Sequence, residues 1–199
     1  MSEIQRITIE DNEEFLRQVS KEVDFSDKSY LDDIKKLEEY CTNNEVFAMA
    51  AVQIGILKRI IYLKNTTTDI SKNSASNYNE AKVMINPKVI SRKGYTKYLE
   101  GCASCIDTSG KEKMYYAGIV ERPYLVEIEY YNIDGEKKNE ILTNFAATVF
   151  SHEYDHLNGI LHMDIATDIF KLTTDEMKLY RKEHPYEILD KDSEYNISI

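Results

Sequence analysis

The sequence holds four histidines, and two of them, His152 and His156, flank Glu153 in the stretch SHEYDHLNGILH (151–162). Residues four apart on a helix lie one turn above each other on the same face. Two imidazoles at that spacing can bind one metal ion, with Glu153 beside them as a carrier of protons. A surface helix that happens to hold two histidines is the plainer alternative, but chance pairing around a glutamate is improbable with so few histidines. Two imidazoles leave a site incomplete. His162 is one source of a third donor, because Gly159 and His162 extend the stretch to His-Glu-x-x-His-x-x-Gly-x-x-His. The cysteines of YLEGCASCID (98–107), Cys102 and Cys105, are another.

Cys102 and Cys105 admit three readings: a redox pair, a closed Cys₂His₂ zinc site with both histidines, or two small buried thiols. A redox pair belongs at a strand-to-helix junction, whereas strand-like sequence lies on both sides here. A compact finger separates its cysteines and histidines by about a dozen residues, and a closed cage would leave Glu153 without a task. Burial suits Cys105. Ligation suits Cys102, because one thiolate with two imidazoles is a catalytic donor set for zinc or ferrous iron. A third stretch, FAMAAVQIG (47–55), is a run of small residues ending in Gln53 and Gly55. Small side chains let another backbone come close, and a buried glutamine needs partners for its amide; a packed edge segment would look the same.

The elements that must position these groups follow from periodicity. Leu31, Ile34, Leu37 and Cys41 recur at helical spacing over 27–41, so an amphipathic helix is expected there. LKRIIYLK (57–64) reads as a strand, and AKVMINPKVI (81–90) as a strand interrupted near Pro87, which cannot donate a ladder hydrogen bond. The polar stretch 65–80 reads as a surface insertion. LVEIEYYNIDGEKKNEIL is a hairpin turning at Asp134-Gly135. A helix carrying the histidines runs from about Asn144 and stops at Asn158-Gly159. Thr173 and Glu176 make a capping box for a last helix, with Leu172 stapled against Met177. The polar tail 185–199 is expected to fray. The resulting fold class is α+β, with mainly antiparallel strands packed around a central helix carrying the HExxH motif.

A chain of 199 residues suits one domain with a real core. Its net charge of −10 argues against a stable grip on nucleic acid. No apolar run is long enough to span a membrane. The N-terminal stretch has no leader pattern, so a cytoplasmic location is expected. Three cysteines without such a pattern make a disulfide framework unlikely to be the organising device.

Together the three stretches resemble the peptide deformylase family, which carries Gly-x-Gly-x-Ala-Ala-x-Gln, then Glu-Gly-Cys-x-Ser, then His-Glu-x-Asp-His. Here they read VFAMAAVQ (46–53), EGCAS (100–104) and HEYDH (152–156). FLRQVSKEV, INP (85–87), ERP (121–123) and HLNGIL (156–161) extend the similarity over most of the first 165 residues. The resemblance implies metal ligands Cys102, His152 and His156, so that Cys102 rather than His162 completes the site. Val46 and Ala48 replace usual glycines, Val52 a frequent proline, Ala103 a usual leucine, and Ser151 a common glutamine. None of these removes a reacting group.

The implied reaction is hydrolysis of the formyl amide of N-formylmethionyl nascent peptides. Glu153 would be base and acid, and the Gln53 amide and Ala103 N–H would donate to the oxyanion. Ala48, Met49, Glu100, Gly101 and Arg122 would bind substrate, while Asp155 orients a ligand imidazole and Ser104 holds the cysteine loop. The implied cofactor is one divalent ion per chain, Fe2+ by family expectation, with Zn2+, Ni2+ or Co2+ as substitutes. A monomer is expected. A metzincin-like endopeptidase using His162 and a structural Cys₂His₂ zinc module are the competing readings.

Overall fold

The computed structural model describes residues 4–64 and 81–196. The expected surface insertion, 65–80, lies outside the described residues. The first element, α1 (Ile9–Leu16), was not foreseen in the sequence. It is set by a capping box: the Asp11 N–H donates to Thr8 Oγ1, and the Thr8 N–H donates back to the Asp11 carboxylate. The next helix, α2 (Ser29–Asn43), is the expected amphipathic one and buries Tyr30, Ile34, Leu37, Tyr40 and Cys41. Leu31 is 40% exposed, because the inward stripe starts at Tyr30.

A short edge strand, β1 (Ala48–Ala50), leads into a 3₁₀ turn over Ala51–Ile54. The strands β2 (Ile60–Lys64), β3 (Ala81–Asp107), β4 (Met114–Arg122), β5 (Leu125–Tyr131) and β6 (Lys137–Thr143) follow. The chain continues through α3 (Phe145–Leu157), α4 (His162–Ile165), β7 (Asp168–Leu172), α5 (Thr174–Glu183) and β8 (Glu187–Glu194). These strands pair antiparallel throughout. The sheet runs β1-β2-β3-β4-β7, with β5 and β8 also on β3 and β6 on β5. The fold is therefore α+β with an antiparallel sheet. No described helix is long and apolar enough to cross a membrane.

β3 organises the sheet through two irregularities. It is not interrupted at Pro87. The missing N–H falls where the register with β5 shifts, between Ile85 and Lys88. Asn86 absorbs the distortion with φ +50°, and its carboxamide is held by the Val23 backbone at 2.7 and 3.0 Å. Further along, pairing with β4 jumps from Gly101 to Ile106. Residues 102–105 thus leave that ladder, and a bulge of this kind re-aims side chains.

α3 packs Ala146, Ala147, Phe150 and Leu157 on Ile61, Leu63, Met84, Val126 and Ile128 of the sheet. It ends as expected at Gly159, where φ is +73° and an added Cβ would lie 2.1 Å from the Arg17 carbonyl oxygen. Only glycine allows both that backbone and the close approach of the chain after α1. The tail does not fray from Pro185. β8 pairs with β3 from Lys93 to Lys97, and the Tyr195 hydroxyl donates to the Glu121 carbonyl at 3.2 Å. All eight side chains of β8 are exposed, so backbone bonds hold it and no apolar alternation advertises it.

Candidate active site

The bulge of β3 and one face of α3 bring three donors together. Cys102 Sγ and one ring nitrogen each of His152 and His156 all lie within 4.8 Å of one another. Cys102 Sγ is 3.3 Å from His156 Nε2. Donors about 2.1 and 2.3 Å from a tetrahedral ion sit about 3.6 Å apart, so the spacing fits one ion. The environment fits a thiolate as well. A hydrogen bond from the Cys105 thiol and the positive potential of His156 outweigh burial and push the Cys102 thiol well below its usual range. The Ser104 N–H and Gln53 Nε2 also point at the sulfur, at 3.4 and 3.5 Å. All three cysteines are free thiols.

The support beneath the ligands is buried and charged. The Glu100 carboxylate accepts from His152 Nδ1 at 2.8 Å, which leaves Nε2 for an ion. Arg122 is 1% exposed. It donates to Glu100 from Nε at 2.8 Å and Nη2 at 3.0 Å, and from Nη1 to Asp155. Burial alone would raise the Glu100 pKa, but the adjoining guanidinium holds it well below the usual carboxylate range. Two expectations change here. Arg122 does not line a peptide groove; two carboxylates enclose it within the fold. Asp155 does not orient a ligand imidazole: its carboxylate answers Arg122, and Glu100 performs the orienting. The resemblance implied that role for Asp155, which shares the helix of the histidines, whereas Glu100 arrives from another element.

Above the ligands lies a groove of about 250 Å³, lined by Ala48, Met49, Gln53, Glu100, Gly101, Cys102, Ala103, His152 and Glu153. Glu153 is 5% exposed. Its Oε2 accepts from the Ala50 N–H at 2.8 Å, and burial raises its pKa above the ordinary carboxylate range. Gln53 is fixed at both ends: Oε1 accepts from the Ala50 N–H at 3.0 Å, and Nε2 donates to Ser104 Oγ at 3.1 Å. The groove is completed by residues that sequence reasoning missed: Tyr98, Phe145, Thr148 and Val149, with Arg6 and Arg181. Phe145, Thr148 and Val149 precede His152 by seven, four and three positions, so helical spacing from the ligand could have found them.

His162 stands apart from the donors. It is buried, its Nε2 is 2.9 Å from the Tyr116 carbonyl oxygen, and its ring centre is 5.5 Å from that of His152. Burial, with His152 nearby, pushes its pKa down to about 4. Cys105 is likewise outside the converging set. Among the described residues the endopeptidase reading does not find its third ligand, nor the closed zinc cage its fourth.

One thiolate, two helical imidazoles and a buried carboxylate at the floor of a groove define a candidate metal-dependent hydrolase. Comparison with known proteins gives the family. The polypeptide deformylase profile matches residues 4–171. The chain is 30% identical to a peptide deformylase of Finegoldia magna, over 87% of this chain and 94% of that protein. It is 34% identical to peptide deformylase 2 of Clostridium acetobutylicum, over 80% and 93%. A crystal structure of the Thermotoga maritima peptide deformylase superposes with a TM-score of 0.66 at 26% identity, covering 84% of this chain and all of the other. The chain belongs to the polypeptide deformylase family.

Proposed function

We propose that the protein hydrolyses the formyl amide of N-formylmethionyl peptides on nascent chains, giving formate and a free amino terminus. The observation that carries this is the convergence of Cys102, His152 and His156 beside buried Glu153, at the floor of a groove that admits a peptide. These three residues would hold one divalent ion; ferrous iron is the proposed native metal, and zinc, nickel or cobalt suit the same donors. When bound, the ion supplies Lewis-acid polarisation of the formyl carbonyl and makes water acidic enough to attack near neutral pH.

The chain's own residues do the rest. Glu153 takes the proton of the attacking water and passes it to the leaving amine nitrogen; its raised pKa suits both halves of that transfer. Gln53 Nε2 and the Ala103 N–H donate to the oxygen on which charge develops. The Ala50 N–H holds Glu153 in place, and Ser104 holds Gln53. Glu100 fixes the tautomer and plane of His152, and Arg122 with Asp155 fixes Glu100.

Tyr98, Phe145, Thr148 and Val149 give the methionine side chain a largely apolar seat. Ala48 and Met49 on one side, with Glu100 and Gly101 on the other, flank the peptide backbone. A crystal structure of the Acinetobacter baumannii peptide deformylase, 25% identical with a TM-score of 0.66, has Met-Ala-Ser bound, which supports a peptide lying in this groove. Val46 and Ala48 narrow the entrance relative to glycine.

We read the chain as one domain built on α3 as the central helix. It works as a cytoplasmic monomer with no stable nucleic-acid or membrane partner, in keeping with its net charge of −10. Formate release from formyl-Met-Ala by anaerobically purified protein tests the activity. Stoichiometric formate supports it; an intact, metal-loaded protein that releases none refutes it.

A further inference from the structure

The family match ends at residue 171, yet the chain beyond it returns to the groove. Met177 of α5 packs with Leu99 and Ala117. Gly101 permits this approach: a Cβ there would lie 3.1 Å from Met177 Sδ and 3.7 Å from Arg181 Nη2. Arg181 Nε donates to the Leu99 carbonyl oxygen at 3.1 Å, and the guanidinium lies over the Tyr98 ring, 5.2 Å from its centre. The fork is therefore held from two sides while it lines the same groove as Cys102 and Glu153.

Its Nη groups have no carboxylate partner among the described residues. The two acids of the groove are committed elsewhere, Glu100 to Arg122 and His152, Glu153 to the Ala50 N–H. A half-buried guanidinium with its plane fixed and its outer donors free is a receptor for a planar carboxylate, and pre-fixing lowers the ordering cost of binding.

Resting on the deformylase reading, we infer that Arg181 determines specificity downstream of methionine: it pairs with an acidic side chain in the first two residues that follow. β8 leaves β3 at Lys97, so from Tyr98 to Gly101 that edge has no strand partner among the described residues. Leu99 and Gly101 precede Cys102 by three and one positions. At about 3.3 Å per residue, a peptide lying there with its formyl group over Cys102 passes the guanidinium within two residues of methionine.

The test compares formate release by the metal-loaded full chain from formyl-Met-Ala-Ser and its counterparts with Glu or Lys at the second or third position. At low salt, kcat/KM for the Glu peptide should exceed that for its Lys counterpart by about tenfold at one of these positions. Arg181→Gln, which keeps a donor for the Leu99 carbonyl, should bring the ratio to about one. Arg181→Lys should retain part of it, and carries the test if the Gln variant fails to fold. Lys182→Ala, exposed and outside the groove, should leave it unchanged. A ratio of one or below in the unsubstituted protein, or one that survives Arg181→Gln and Arg181→Lys intact, overturns the inference. Metal-loaded protein that hydrolyses none of the peptides overturns the deformylase reading, whereas hydrolysis without charge preference overturns only the role of Arg181.

Discussion

The layer beneath the candidate ligands and the groove above them are built on opposite principles. Below, Glu100, Arg122, Asp155 and His152 form a closed lattice in which the fold itself answers each charge. Above, Tyr98, Phe145 and Val149 offer mostly hydrocarbon surface, and Gln53 and Arg181 line a space that a substrate can occupy. A buried charge left unanswered is expensive, so the lower layer tolerates little change. The upper layer holds Ala48 and, on a helix beyond the end of the family match, Arg181. Rigidity is spent on placing the ligands, and open donors are left where a peptide can meet them.

Substitutions can break this contrast. Arg122→Met should have the largest effect on the fold. It strands two buried carboxylates and should cost about 3–5 kcal/mol, read from the shift in denaturant midpoint; a loss near zero would mean that the lattice is ornamental. Gln53→Ala should lower kcat by about 10²–10³ while metal content and midpoint hold, which would place Gln53 with the chemistry rather than the scaffold. Glu100→Gln keeps the shape but weakens the hold on His152. Metal affinity, measured by competition with a chelator, should fall about 10–100-fold. His162→Phe should be mildest, with metal content unchanged. Loss of the ion in that variant would make His162 a ligand and revive the endopeptidase reading.

The donors were legible because each is bound to a local pattern. His152, Glu153 and His156 follow helical spacing, and Gly159 marks where that helix must stop. Cys102 was legible as a donor by type, but the bulge that aims it is a relation between β3 and β4 that no single stretch records. Long-range pairing also explains the two reassignments. The resemblance implied Asp155, near the histidines in sequence, as the partner of an imidazole, while Glu100, which fills that role, comes from a distant strand. Arg122 was expected to bind substrate because nothing local announces the two carboxylates that enclose it. α1 did carry a signal, the Thr8–Asp11 capping pair, in a segment whose apolar positions are sparse. β8 carried none, since every side chain in it faces solvent.

The central claim is that Cys102, His152 and His156 hold the ion while Glu153 moves the proton. The most direct measurement is metal content and formate release from formyl-Met-Ala by Glu153→Gln, prepared anaerobically beside the unsubstituted protein. The account predicts an equal metal complement with turnover abolished. A Glu153→Gln protein that keeps its metal and deformylates at the normal rate, or one that loses the ion altogether, would contradict it.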